Sequence, residues 1–363
     1  MFIHKKIIML ILVLSILIPL NSQSSAAETG NTKVITDMAD REITVPDEIN
    51  RIIAAGAGTL RQVIYIDGIE KIVGVEQQEK EENWFPSYSV AYPELKELPA
   101  IGPQHGGDAE LIVSREPDII FYRGDPGDAN NLQQKTGIPV ILIKLGDFYN
   151  NRNILYDAWS LIGEVLNRKE RADELIDYTE NLIKTFNKNT ENLKQEKKPR
   201  VFSGAISHRG GHGLASTKIP FPPFRFLNLK SNITEKNYED VTSIIINREK
   251  LLSWNPEFIF VDCENLNLVK RDIKDHPEYS SIQAINNHDI YGILPYSIYN
   301  RNQVNILINT FFIGKTLFPD QFKGIKIEEK ADEIFNKFLQ RSIYHKLKEI
   351  YPAYEKIDPE EIQ

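Results

Sequence analysis

Four arginines, three histidines and a group of aromatic side chains carry most of the chemistry open to this chain. Arg61, Arg123, Arg209 and Arg301 suit the pairing of carboxylates or other anionic groups, because a guanidinium presents a planar fork of donors. Trp84, Tyr122 and Tyr299, with Tyr88 and Tyr296 nearby in sequence, can cover flat apolar surface. His208 and His212 are four apart in a stretch that also holds Gly210, Gly211 and Gly213. Neutral imidazole is a good transition-metal ligand, yet so many glycines argue against a regular helix that would align the two rings. A bare metal ion needs about three to six donors. For His208 and His212, and for His105 beside Gly106 and Gly107, three readings stay open: direct coordination of a metal, hydrogen bonding to a bound chelate, or a structural role in a loop.

Catalytic patterns are missing. The chain has no Gly-x-Ser-x-Gly elbow, no Walker phosphate loop and no His-Glu-x-x-His pair, the arrangements that would mark hydrolytic or phosphoryl-transfer chemistry. The turn Gly56-Ala57-Gly58 lacks the full dinucleotide fingerprint. The expectation is a binding protein with no cofactor and no enzymatic activity.

The elements that must position these residues follow from apolar patterning. Residues 34–45 alternate around Ala39-Asp40-Arg41 and predict a hairpin; short apolar runs at 51–55, 71–75, 118–122 and 140–143 predict buried strands, with a helix opening at the glycine turn 56–59. A second series starts at 201–206 and continues at 258–261 and 290–294. Between them, Ala172, Leu175, Ile176, Leu182, Ile183 and Phe186 keep helical spacing. A helix over 168–194 would span about 40 Å at about 1.5 Å per residue, enough to join two lobes. The C-terminal third is predicted mostly helical, including 328–339.

An internal repeat supports two lobes on one plan. Residues 108–121 match 247–260 with five of 14 positions identical: Glu110/Glu249, Ser114/Ser253, Pro117/Pro256, Ile120/Ile259 and Phe121/Phe260. Each copy has Asp108 or Asn247 where an N-cap belongs, a glutamate in the first turn and a proline before a buried strand. Helix-end electrostatics alone account for one such acid; the same acid in the same frame of both copies also fits a partner with two matching basic sockets. In α/β lobes ligands collect beyond the carboxyl ends of strands. That rule selects Thr59, Arg61, Trp84, His105, Tyr122 and Arg123 from the first lobe. From the second it selects His208, Arg209, His212, Tyr299 and Arg301.

Composition narrows the class. Of 363 residues 41% are hydrophobic, enough for real cores, and 43 Lys+Arg against 51 Asp+Glu leave a net charge of −8, which argues against binding the phosphate backbone of nucleic acid. After Lys5 and Lys6 the run 7–20 is almost wholly apolar and is followed by Ser24-Ser25-Ala26-Ala27, the form of an export signal, 1–27, cleaved near Ala27. The run is shorter than the roughly 20 residues of a membrane span, although an uncleaved segment would hold the chain at the membrane. Cys263 is the sole cysteine, so no internal disulfide forms and no lipobox lies in the signal.

With signal, paired lobes, connecting helix and the Glu-x6-Pro-acid-strand repeat, the chain resembles the class III periplasmic binding proteins that serve ABC importers of ferric siderophores, haem and cobalamin. The segments 56–60, 101–105, 210–213 with Ser216-Thr217, and 328–333 resemble a branch associated with iron transport; Asp40 stands where relatives often carry glycine. The resemblance implies two Rossmann-like α/β lobes (33–166 and 199–363) joined by a long rigid helix (167–198), with a ligand cleft between them. It further implies an exported, monomeric protein, a small-molecule metal chelate as ligand, and an ABC permease dimer with its ATPase as partner, docked through Glu110 and Glu249. Two other classes fit the residues: a free transition-metal binder using His105, His208 and His212, and an exported ligand-sensing domain.

Overall fold

The structure is a computed structural model that describes residues 31–207, 210–229 and 243–358. The predicted export segment, His208 and Arg209 lie outside the described residues. The described residues open with the expected hairpin, β1 (Thr32–Thr36) paired antiparallel with β2 (Glu42–Pro46). Its turn places Asp40 at φ 58°, the left-handed region that glycine enters most cheaply. The Asp37 carboxylate secures the turn by accepting from Ala39 N and Arg41 N.

Two parallel sheets follow. Strands β3 (Ile52–Ala55), β4 (Ile72–Gly74), β5 (Ile119–Tyr122) and β6 (Val140–Leu142) form the first, in the order β4-β3-β5-β6. The second contains β7 (Val201–Gly204) and, after a small antiparallel pair β8 (Ser216–Thr217) and β9 (Ile244–Ile245), β10 (Phe258–Asp262) and β11 (Ile290–Ile293), ordered β11-β10-β7. All residues of β3, β5, β6 and β7 are buried, as expected for parallel strands covered on both faces. The mixed α/β, two-lobed architecture is therefore the one expected. In the first sheet the order reverses between β3 and β5, so a crevice opens beyond the carboxyl ends of those two strands.

The repeat appears as equivalent helix-strand units. Asp108 accepts from Glu110 N at 3.0 Å and Leu111 N at 3.1 Å to cap helix Ala109–Val113; Asn247 accepts from Lys250 N at 2.8 Å to cap helix Arg248–Trp254. These caps lead into β5 and β10 respectively.

The long helix runs Lys169–Thr190, shorter than the predicted 168–194, and spans about 33 Å. The chain then leaves in a short 3-10 turn, Gln195–Lys197. Asn167, at φ 56°, separates this helix from its neighbour Arg152–Val165. Its buried face reaches both lobes. Arg171 donates to the carbonyls of Tyr65 and Lys337, while Phe186 packs on Phe226 and Phe311. The helix Gln303–Leu317 is buried along its whole length to Gly314, and the helix Ile327–Leu339 folds back on the first lobe, where Phe338 meets Tyr65 and Tyr92 donates to Leu339 O. One apolar core thus runs through both lobes, from Ile35 to Ala353. Cys263 is buried in it, and desolvation pushes its thiol well above the ordinary range.

Gly56 ends β3 at φ 90°, and a Cβ there would stand 2.3 Å from the Arg123 carbonyl oxygen. Gly56→Ala should cost on the order of 2–4 kcal/mol, from a strained φ plus backbone displacement, read as a lowered urea midpoint without a change in slope.

Candidate functional site

The crevice between β3 and β5 continues into a cavity of about 890 Å³ between the lobes. From the first lobe it is lined by His105 and Arg123, with Ala57, Gln78 and Gln104. Ser297, Tyr299, Asn300 and Arg301 face them from the segment after β11, and Ser207 and Gly210 also line the wall. Among the described residues no Asp or Glu lines the cavity. Burial, and then the nearby charge of Arg301, lower the affinity of Arg123 for its proton. Two guanidiniums close enough for one charge to act on the other are groups that can pair with an anion. Arg301 is only lightly compensated: Nη1 donates to Gly146 O at 3.3 Å, Nη2 stands 3.7 Å from Asp147, and Nε is buried without a partner among the described residues.

The residue that holds this wall together is one that sequence reasoning missed. Glu76, 3% exposed, accepts from Gly56 N at 3.0 Å and Gly106 N at 2.8 Å through Oε1, and from Tyr299 OH at 2.6 Å through Oε2. The His105 amide also donates to that hydroxyl, at 2.7 Å. One carboxylate therefore joins the turn after β3, the glycine loop of His105 and the opposite lobe. The signal available was its position: Glu76 lies just past the carboxyl end of β4.

Several predicted ligand residues take other roles. Arg61 is 1% exposed, and its guanidinium donates to the carbonyls of Ile298, Asn300 and Arg301 while lying over the Tyr88 ring. It joins the lobes and offers no fork to a ligand. Thr59 is fully buried. Trp84 is buried as well, donates to Glu79 and meets Tyr299 edge-on at 5.8 Å, so it backs the cavity wall instead of covering a ligand. Tyr122 lines a separate groove of about 860 Å³ between helices Ala109–Val113 and Pro126–Thr136, together with His105, Glu110 and Asp128. His212 is half-buried and does not line the inter-lobe cavity. Among the described residues no three His, Cys, Asp or Glu side chains are grouped to hold a metal ion, and no helix is long and apolar enough to cross a membrane. Glu110 and Glu249 are both exposed, and neither carboxylate is paired among the described residues.

Two α/β lobes with a ligand-sized cleft at the carboxyl ends of parallel strands define a solute-binding protein. A family model described as "Periplasmic binding protein" matches residues 64–296, and the chain belongs to that family. Its members bind ligands and carry out no reaction, so the chain is a binding protein, not an enzyme, with no cofactor of its own. Among relatives, it is 23% identical over 335 residues to the molybdate-binding protein MolA of Haemophilus influenzae, covering 85% of this chain and 92% of the relative. An ABC transporter substrate-binding lipoprotein of Bacillus subtilis, YvrC, is 20% identical over 296 residues, covering 80% and 86%. The structure of molybdate-bound MolA superposes with a TM-score of 0.68 at 21% identity over 85% of this chain and 98% of that one. A periplasmic solute-binding protein of Veillonella parvula gives 0.71 at 19% identity over 89% and 97%.

Behind the cavity, Glu79 accepts from Trp84 Nε1 at 2.8 Å and Tyr88 OH at 2.6 Å. Burial lifts its carboxyl to about 7 against an ordinary 4.5. Between those values the folded chain keeps a proton that the unfolded chain has released, so stability falls as pH rises through that window. Glu79→Gln should flatten the fall and stabilise the protein above pH 7 by up to about 3 kcal/mol. Asp262, also lifted to about 7 by burial, leaves a residual slope. Chemical denaturation at a series of pH values is the check.

Proposed function

We propose that this chain is the extracytoplasmic substrate-binding protein of an ABC importer, capturing an anionic metal chelate and delivering it to a permease dimer with its ATPase. The observation that carries the ligand class is the Arg123–Arg301 pair in a cavity lined by no acid among the described residues. At about 890 Å³ the cavity lies in the range that encloses a drug-sized molecule, about 300–1,000 Å³, which favours an iron(III)-siderophore or a related chelate such as haem or cobalamin. A small tetrahedral oxyanion is the second reading, supported by the relative that binds molybdate and by the same two arginines. A free-metal site would have to draw on His208, since His105 and His212 belong to no described metal cluster.

Exposed Glu110 and Glu249 occupy matching capped helix starts and are the proposed docking acids for permease arginines. The predicted export segment, 1–27, would carry the protein outside the cytoplasm, where it works as a monomer released or held by that segment. A ligand-sensing domain without a permease would share the cleft but not the transport defects expected below.

Native mass spectrometry and absorption spectra of protein isolated from its host should show a coloured metal chelate; a colourless ion of oxyanion mass would select the second reading. Arg123→Met and Arg301→Met should each weaken binding about 10- to 100-fold, the scale of a lost charged hydrogen bond of about 1.5–3 kcal/mol, measured by titration calorimetry. Glu110→Arg with Glu249→Arg should abolish uptake at unchanged ligand affinity, and normal uptake would exclude the docking proposal.

A further inference from the structure

The turn that brings Tyr299 and Arg301 to the cavity follows a strand of the second sheet, but its side-chain bonds run to the first lobe. Arg61 donates to Ile298 O at 2.7 Å, Arg301 O at 2.8 Å and Asn300 O at 3.3 Å. Glu76 accepts from Tyr299 OH, Ala57 O accepts from Asn300 Nδ2 at 3.1 Å, and Gly146 O accepts from Arg301. Two consecutive residues of the turn are left-handed without being glycine, Tyr299 at φ 48° and Asn300 at φ 90°. Such backbone persists only when its surroundings over-determine it; here the segment's own bonds, Arg301 N to Asn300 Oδ1 and Asn302 N to Tyr296 O, are joined by the contacts from the opposite lobe. Gly58 lets the turn approach: a Cβ at that position would stand 2.9 Å from Asn300 Cβ.

We propose that Arg61 and Glu76 are positioning residues that hold the 298–301 turn on the first lobe, so that the Arg123–Arg301 anion site is assembled before any ligand arrives. The inference rests on the binding reading above and deepens it. Two like charges repel in the empty cavity, and the turn's carbonyls and the Tyr299 hydroxyl supply the anchoring that keeps Arg301 in place. Binding then spends little on ordering the site, the usual gain from preorganisation. The carbonyl contacts of Arg61 need both ends of its fork, which a lysine lacks. Glutamine at 76 keeps an oxygen for the two glycine amides and offers its NH₂ to the Tyr299 oxygen.

The test is peptide-level hydrogen exchange on the full chain without ligand, with molybdate and a ferric tris-catecholate titrated in parallel. Arg61→Met and Glu76→Ala should speed exchange at 297–303 at least about tenfold while β10 and β11 keep their protection. Glu76→Gln should stay near the parent, and Tyr299→Phe should show a partial effect. Where either probe binds, the two releasing variants should weaken it although Arg123 and Arg301 are untouched. Unchanged exchange at 297–303 in both releasing variants overturns the proposal. If Arg61→Met or Glu76→Ala loses protection throughout, Tyr299→Phe and Asn300→Ala decide, since each removes one anchor without emptying the core. Intact clamping with neither probe bound in the parent counts against the ligand reading alone, whereas Arg123→Met losing a probe while the turn proves unanchored counts against the clamp alone.

Discussion

A guanidinium shut away from water has to be met by acceptors in fixed directions, and an unmet one costs several kcal/mol. Arg61 meets most of that constraint through Nη1 and Nη2, which reach three carbonyls of the opposite lobe, while Nε has no partner among the described residues. The turn between Ile298 and Arg301 therefore takes its path from a helix some 240 positions earlier, and the cleft inherits its shape from this bond. The long helix Lys169–Thr190 and the buried helix Gln303–Leu317 continue the same coupling through apolar contact. On the proposed reading, recognition depends on the form of a largely prebuilt space.

The electrostatics of that space run against those of the molecule. The chain is acidic overall, at −8, while the cavity presents Arg123 and Arg301 with no lining carboxylate among the described residues. Low-dielectric walls concentrate the field of a few charges inside a cleft, so the positive character is local and the surface elsewhere remains free to meet basic partners. The first-turn acids Glu110 and Glu249 are exposed on that outer surface.

Much of the architecture was legible in the sequence because it is local. Short uninterrupted apolar runs became the strands of both sheets, and the paired Asp108 and Asn247 caps were visible as one motif copied along the chain. The hairpin followed from alternation, with Asp40 taking the left-handed turn position. The end of the long helix was not legible, since residues 191–194 hold neither glycine nor proline. In the site, the rule that ligands gather beyond strand ends selected His105, Arg123, Tyr299 and Arg301, and the structure places all four on the cavity lining. It misread Arg61 and Trp84 because burial and partners are long-range properties: a residue near a cleft in sequence can still turn its side chain into the joint behind it. Glu76 was hidden among 51 acids, and only folding shows that its two oxygens serve three separate segments.

The position of Cys263 has a practical side. The only thiol in the chain is enclosed in the core and resists becoming a thiolate, the form that reacts with electrophiles. A cysteine introduced on either lobe can therefore accept a maleimide dye without competition, and a pair of such dyes can report the separation of the lobes one molecule at a time.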